Sequence, residues 1–187
     1  MNPLFVAALE IQRFCAARGW RFCVIGGVAV QRWGEPRFTR DVDCTIVTAA
    51  GDEARYIDEL LKGFAPRIPE ARDFALVNRV LLLLSAAGVP IDLVLGALPF
   101  EERIVERASP YAIGPGVTLA TCSAEDLVVL KAFAGRDRDW ADVEGVVLRQ
   151  GPRLDRALIR GELSALAALT DEGADAVARL EKMFAGR

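Results

Sequence analysis

The stretch that decides the fold is V24-I-G-G-V-A-V-Q-R-W-G-E-P-R-F-T-R-D-V-D-C-T-I-V47. In its last seven residues, D41-V-D-C-T-I-V47, apolar and polar positions alternate, which predicts a half-buried strand. Asp41 and Asp43 are two positions apart, so they project from the same face, with Cβ atoms about 6–7 Å apart. A strand has no structural need for two acids on one face. The alternative to a functional pair is a solvent-exposed face on which both acids are tolerated.

A glycine pair, Gly26-Gly27, lies earlier in the same stretch, between a short apolar run over 21–25 and a helical segment over 28–33. At the start of a helix the backbone N–H groups are unpaired and the helix dipole favours an anion. Glycine has no Cβ, so a phosphate could approach this backbone closely. The pair therefore predicts a phosphate-binding turn.

A third acid, Asp92, is the single charge in the apolar run P90-I-D-L-V-L95. A carboxylate is costly in an apolar strand unless it has a partner. If this strand lies beside the strand of Asp41 and Asp43, the three carboxylates converge. They could then hold Mg²⁺ or Mn²⁺ for the in-line displacement of a phosphoryl or nucleotidyl group. The alternative is a structural acid that is hydrogen-bonded to backbone amides.

The composition excludes several classes of site. The 187 residues contain no histidine, which excludes Ser-His and Cys-His nucleophiles and histidine-bound zinc. The net charge of −3 provides no overall attraction to nucleic acid or acidic lipid. No apolar run is long enough to span a membrane, and the four cysteines lack C-x-x-C spacing, which predicts buried free thiols. We therefore expect a soluble, cytoplasmic protein without membrane contact.

Hydrophobic periodicity predicts an α+β core that is followed by helices. We expect helices over 3–18, 28–33, 52–64 and 99–107. We expect strands over 21–25, 41–47, 77–85 and 89–95, the last two as an antiparallel hairpin, and then a short strand and a turn over 111–119. A capping box of Ser123 and Asp126 opens the helical part. The predicted architecture is a mixed β-sheet flanked by helices in residues 1–120, with a C-terminal helical region in residues 121–187 packed on it.

The order strand, Gly-Gly, helix, D-x-D strand and later lone Asp resembles the active-site pattern of the polymerase-β-like nucleotidyltransferase superfamily. More narrowly, R37-F-T-R-D-V-D43 resembles the R-x-[S/T]-x-D-h-D signature of AbiEii-like nucleotidyltransferases, the toxins of type IV toxin–antitoxin systems. The segment S123-A-E-D-L-V-V-L-K-A-F-A-G-R-D-R-D-W-A-D-V143 resembles the second block of that group, a helix lysine followed by an R-x-x-D-x-x-D turn. The two blocks span most of the chain to about Val147.

The resemblance implies an Mg²⁺-dependent (or Mn²⁺-dependent) transfer of NMP from an NTP such as ATP to a hydroxyl, with pyrophosphate leaving. It implies three catalytic metal ligands, of which the last also acts as base toward the acceptor: Asp41, Asp43 and Asp92. It implies that Lys131 neutralises the triphosphate and that Asp139 orients Lys131 or the acceptor. The nucleotide-binding residues would be Gly26, Gly27, Arg37, Thr39, Lys131 and Asp139. A solvated helix-surface lysine is the alternative for Lys131.

The acceptor is left open between tRNA, a protein side chain and a small molecule. A cognate antitoxin and a homo-oligomer are both open as partners. The main alternative function is a non-catalytic protein of the same fold that binds a nucleotide or a partner protein. A third candidate is an antibiotic-modifying nucleotidyltransferase, although no acidic segment suited to a cationic drug is evident.

Overall fold

The computed structural model describes residues 2–48, 51–170 and 173–186. The chain forms two compact units, one of Met1–Val28 with Phe38–Cys122 and one of Ala29–Arg37 with Ser123–Arg187. The second unit therefore includes a short segment from early in the chain as well as the C-terminal helices. The domain division at residue 120 stays a prediction.

The first unit combines helices and strands. Its helices are α1 (Pro3–Ala16), the first turn of α2 (Gly26–Trp33), α3 (Glu53–Gly63), α4 (Ala71–Asn78) and α5 (Pro99–Glu106). Its strands are β1 (Phe22–Val24), β2 (Val42–Val47), β3 (Ala65–Pro66), β4 (Val80–Leu84), β5 (Pro90–Gly96), β6 (Ser109–Gly114) and β7 (Val117–Thr121). The predicted α+β class is confirmed.

The strands of the described residues form a seven-stranded sheet in the order β3-β4-β5-β2-β1-β7-β6. β2 pairs with β5 and β1 with β7 in parallel, whereas the other neighbours are antiparallel. The sheet is therefore mixed, as predicted. β2 and β5, which carry the acids of interest, lie side by side inside the sheet.

Alternation along β4 and β5 separates a buried face from a half-exposed one. The buried face joins a core with α1 and α3 through Leu81, Leu83, Ile91, Leu93, Leu95, Ile11, Ile57 and Leu60. Each such side chain contributes about 1.5–3 kcal/mol when it leaves water. Because the core fixes which face is buried, Asp92 projects from the opposite face of β5.

Two segments differ from the sequence predictions. Val77 and Asn78 end α4 rather than begin a strand, and Arg79 ends the helix in the left-handed conformation at φ +56. The guanidinium of Arg79 donates to the carbonyl of Leu95 and to Thr48, which holds this conformation. The segment 111–119 lies in two strands, β6 and β7, that pair as a hairpin. The short elements β3 and α4 were not predicted.

The second unit is helical. It contains the rest of α2, then α6 (Ala124–Ala134), α7 (Asp137–Gln150), a single turn of 3₁₀ helix (Gly151–Arg153), α8 (Arg156–Ala167) and α9 (Gly173–Ala185). The predicted capping box begins α6. Oγ of Ser123 accepts the N–H of Asp126 at 3.0 Å and donates to its Oδ2 at 2.8 Å. Side chains near the end of α7 donate to the carbonyls of residues 33 and 34, which joins the early segment to this unit.

Among the described residues, none of the helices has both the length and the apolar character needed to cross a membrane. All four cysteines are buried, as predicted, and are free thiols: Cys15, Cys23, Cys44 and Cys122. Burial raises the pKa of Cys15 to about 12. This thiol is therefore protonated and unreactive at neutral pH.

Candidate active site

Three carboxylates meet where β2 and β5 lie side by side. The parallel register pairs Asp43 directly with Asp92, and Asp41 immediately precedes β2. One carboxylate oxygen of each residue lies within 4.8 Å of those of the other two. The structure thus brings together the three acids that the sequence analysis singled out. Their catalytic and metal-binding roles stay predictions.

The donor set fits a hard divalent cation, because carboxylate oxygens are the ligands that Mg²⁺ and Mn²⁺ prefer. Oδ1 of Asp92 is buried and accepts no well-aligned hydrogen bond from the described part of the chain. Nη1 of Arg67 lies 2.6 Å from this oxygen, so the contact is an ion pair without hydrogen-bond alignment. A buried carboxylate oxygen without an aligned donor is one that a cation can take. The three acids could therefore hold Mg²⁺ or Mn²⁺.

Gly26 and Gly27 pack directly against this cluster. Gly26 has φ +56, and a Cβ built on it would lie 1.9 Å from Oδ2 and 2.5 Å from Cβ of Asp43. A Cβ on Gly27 would lie 2.5 Å from Oγ1 of Thr39. The N–H of Gly27 donates to Oδ2 of Asp43 at 3.2 Å. The glycines thus let Asp43 and Thr39 approach the start of α2, and their role toward phosphate stays a prediction.

Thr39 contacts the first acid of the cluster. Its Oγ1 donates to Oδ1 of Asp41 at 2.8 Å, across two positions of the chain. This hydrogen bond restricts the rotation of the carboxylate and orients it before β2 begins. The hydrogen bond to Asp41 is therefore a structural reason for a threonine at this position of the sequence signature. The predicted contact of Thr39 with nucleotide stays a prediction.

Arg67 belongs to the site, although no sequence pattern indicated it. It follows the edge strand β3, and its backbone N–H donates to the carbonyl of Leu82 at 2.9 Å. Leu82 lies directly opposite Asp92 in the pairing of β4 with β5. The side chain of Arg67 can therefore reach Asp92, and no local signal could have shown this because the residues are joined only through the sheet.

A second group of charged residues lies within the second unit, and we call it the ion cluster: Arg37, Lys131, Arg136, Asp139 and Asp142. Arg37 donates to Asp142 through two nitrogens, at 2.6 and 2.7 Å. Nζ of Lys131 lies 2.8 Å from Asp139 and 3.1 Å from Asp142. Arg136 also donates to Asp139. The ion cluster therefore joins the two sequence blocks that resemble AbiEii-like proteins.

Both carboxylates of the ion cluster are stabilised in the charged form. Burial raises the pKa of Asp139, but hydrogen bonds from Arg136 and Lys131 outweigh it and hold this pKa below its usual range. Burial likewise raises the pKa of Asp142, and Arg37 and Lys131 together lower it further than burial raises it. Both residues are therefore ionised at neutral pH. Asp142, the last acid of the R-x-x-D-x-x-D turn, was not predicted as a site residue, yet its side chain is buried and paired.

Lys131 is buried, with 8% of its surface exposed. The alternative of a solvated helix-surface lysine is therefore wrong. Its ammonium has three N–H donors, and two carboxylates contact it among the described residues. The third donor could thus bind a phosphate, and the triphosphate contact stays a prediction. The structural role of Lys131, which is to pair with Asp139 and Asp142, is shown by the contacts.

Replacing Lys131 with methionine is expected to lower the free energy of unfolding by about 2–3 kcal/mol, because hydrogen bonds to two buried carboxylates are lost. Asp139 and Asp142 keep Arg136 and Arg37 as partners, which limits the loss. Urea unfolding at pH 7 measures the change.

The matched control for this substitution is Lys62→Met, which also removes one lysine charge from a helix. Lys62 is 69% exposed and pairs only at the surface with Glu59, so its loss should change stability by less than about 0.5 kcal/mol. Equal effects of the two substitutions would contradict a buried structural role for Lys131.

The sequence matches the family described as "Nucleotidyl transferase of unknown function" (DUF2204) over residues 5–179. The chain belongs to this family. Membership of DUF2204 agrees with the predicted nucleotidyltransferase superfamily and supports a transferase. No curated protein matches this DUF2204 sequence significantly.

Solved structures share the fold of this DUF2204 protein. A crystal structure of an antigenic nucleotidyltransferase-like protein from Paracoccidioides brasiliensis matches with a TM-score of 0.51 and 16% identity, covering 93% of this chain and 91% of that chain. The solution structure of the antibiotic-resistance factor ANT(2'')-Ia matches with a TM-score of 0.57 and 15% identity, covering 100% of each chain. At these identities the likeness shows the nucleotidyltransferase fold alone.

Proposed function

We propose that this protein is an Mg²⁺- or Mn²⁺-dependent nucleotidyltransferase that moves NMP from an NTP to a hydroxyl and releases pyrophosphate. The observation that carries the proposal is the convergence of Asp41, Asp43 and Asp92 within 4.8 Å. Membership of the DUF2204 family supports nucleotidyl transfer in general. The glycine pair against Asp43 adds a helix start beside the acids, which suits an anionic substrate.

In the proposed reaction the acceptor oxygen bonds to the α-phosphorus while the bond from that phosphorus to pyrophosphate breaks. When bound to Asp41, Asp43 and Asp92, Mg²⁺ would stabilise the negative charge that develops on the phosphate oxygens. Asp92 would accept the proton of the acceptor hydroxyl, as the general base that the resemblance implies. Thr39 would help to hold the carboxylate of Asp41 in place for ligation through its hydrogen bond. Positioning and charge supply the catalysis, because no covalent intermediate is required.

The remaining assignments concern the nucleotide. We propose that Gly26 and Gly27 approach its phosphates and that Lys131 neutralises the triphosphate. Asp139 would hold the lysine for this purpose, since it already binds Nζ at 2.8 Å. Arg37 and Thr39, which belong to the R-x-[S/T]-x-D-h-D signature, would also bind the nucleotide. Arg37 is held by Asp142, so its contribution is to position this segment as well as to provide charge.

The acceptor and the biological role rest on the AbiEii-like resemblance of the two sequence blocks. That resemblance favours a component of a type IV toxin–antitoxin system, with a cognate antitoxin as partner. The acceptor candidates are the hydroxyls of a tRNA, a protein side chain or a small molecule. The structural likeness to an antibiotic-resistance factor makes a cationic antibiotic an additional acceptor to test, although 15% identity shows the fold alone.

The test is incubation of the purified chain with each NTP labelled at the α-phosphate, Mg²⁺ or Mn²⁺, and each acceptor class in turn. We expect label to join one acceptor, pyrophosphate to appear in equal amount, and both to stop with a chelator. The Asp41→Asn/Asp43→Asn double variant is the matched negative. Release of inorganic phosphate without transfer would contradict a nucleotidyltransferase.

The main alternative remains a non-catalytic protein of this fold that binds a nucleotide or a partner protein. Calorimetric titration with each NTP·Mg²⁺ separates the two functions when it is combined with the labelling assay. Binding of nucleotide without label transfer to any acceptor class would favour the alternative. The convergence of all three acids favours the enzyme, since like charges this close together repel unless a cation is bound between them.

A further inference from the structure

Arg67 holds a place beside the third carboxylate that neither of the sequence blocks explains. Its Nη1 lies 2.6 Å from Oδ1 of Asp92, and each side chain is about one-third exposed, 29% for Arg67 and 30% for Asp92. Its backbone is bound to the carbonyl of Leu82, the residue paired with Asp92 across the sheet. The sheet therefore holds the backbone of Arg67 two strands from Asp92, within reach of its long side chain.

The groups that surround Asp92 show how this ion pair affects its charge. On the same face of the sheet its neighbours are apolar along β5, at Pro90 and Val94, and across β4, at Leu82. Across β2 it faces the carboxylate of Asp43. Among the described residues, Arg67 is the cation paired with Asp92. Its guanidinium thus offsets the repulsion that Asp92 experiences from the other two acids.

We propose that Arg67 is a positioning residue that acts as the counter-ion of Asp92 until a divalent cation binds. This inference rests on the proposed cation site. A cation that ligates Asp92 meets a positive guanidinium next to the same carboxylate, and like charges repel. Arg67 and the divalent cation therefore compete for Asp92. The competition weakens cation binding. While no cation is present, the ion pair with Arg67 neutralises the carboxylate of Asp92.

The experiment measures Mn²⁺ binding to the full chain without nucleotide, by the electron paramagnetic resonance signal of free Mn²⁺ and by calorimetry. Arg67→Gln is expected to lower the Kd for Mn²⁺ by about tenfold, because the competing charge is removed. Arg67→Lys keeps the charge and should leave the Kd within about twofold of the wild-type value. Melting curves of the Mn²⁺-free variants verify that each is folded.

The matched control is Arg72→Gln. Arg72 is five positions further along the chain and pairs with Asp58 at the surface, so the variant changes net charge equally but leaves Asp92 alone. It should bind Mn²⁺ as the wild type does. In an Asp92→Asn background, Arg67→Gln should no longer tighten binding, because its effect acts through Asp92.

Three results would overturn the inference. If Arg67→Gln binds Mn²⁺ no more tightly than the wild type while Asp43→Asn abolishes binding, the cation site stands and the role of Arg67 fails. If Arg72→Gln tightens binding equally, the effect is one of net charge. If neither the wild type nor any variant binds Mn²⁺, the proposed cation site fails, and the inference fails with it.

Discussion

Replacing Asp43 with asparagine is expected to lower nucleotidyl transfer roughly 10³-fold, or about 4 kcal/mol of transition-state stabilisation. Asparagine keeps the size of the side chain and can still accept the N–H of Gly27, so the fold should persist. It loses the negative charge and one of the oxygens that converge within 4.8 Å. Initial rates with α-labelled NTP at several Mg²⁺ concentrations measure the loss.

Asp58→Asn is the matched control for Asp43→Asn. Asp58 is a helix carboxylate of the same unit, 50% exposed, that pairs with Arg72 at the surface. Its substitution should leave the transfer rate within about twofold of wild type, since surface changes away from a site have small effects. Mn²⁺ should raise the melting temperature of the wild type and of Asp58→Asn but not of Asp43→Asn. A transfer rate of Asp43→Asn within tenfold of the wild-type rate would contradict its role as a ligand.

Replacing Gly26 with alanine is expected to reduce the free energy of unfolding by about 4 kcal/mol and to abolish the Mn²⁺ response. The new Cβ would lie 1.9 Å from Oδ2 of Asp43, and it would also lie 2.5 Å from Cβ of Asp43. Rotation of the carboxylate cannot relieve the second contact, because a Cβ is fixed to its backbone. Either α2 or β2 must therefore shift, and overpacking of this kind adds to the left-handed strain at φ +56.

Gly19→Ala separates these two effects. Gly19 also has a positive φ, +66, but a Cβ built on it meets nothing within 4 Å. Its substitution should lower stability by about 1–2 kcal/mol, the strain of the left-handed conformation alone, and leave Mn²⁺ binding unchanged. Urea unfolding and Mn²⁺ titration of both variants measure the difference. If Gly26→Ala costs no more than Gly19→Ala, the close approach of Asp43 to α2 is incorrect.

Local patterns predicted much of the fold, because they reflect interactions between residues a few positions apart. The alternation D41-V-D-C-T-I-V47 indicated a strand with both acids on one face, and β2 occupies Val42–Val47. The Ser123–Asp126 pattern indicated the start of α6, where Oγ of Ser123 accepts the N–H of Asp126 and donates to its carboxylate. The segment over 77–79 was predicted wrongly, because α4 continues to Asn78 and the contacts of Arg79 with distant residues hold its left-handed end.

The sequence by itself determined the α+β class, the strand and glycine pair, and the three acids as candidates, since each follows from periodicity, turn chemistry or the cost of an isolated charge. Only the tertiary structure decided that β5 is the parallel neighbour of β2 and that Arg67 meets Asp92. It also decided that Arg37 binds Asp142, 105 positions away. Such pairs depend on how strands and helices pack, and packing is set by burial summed over the whole chain. The residues next to a charged side chain do not indicate its distant partner, so these contacts could not be predicted from local pattern.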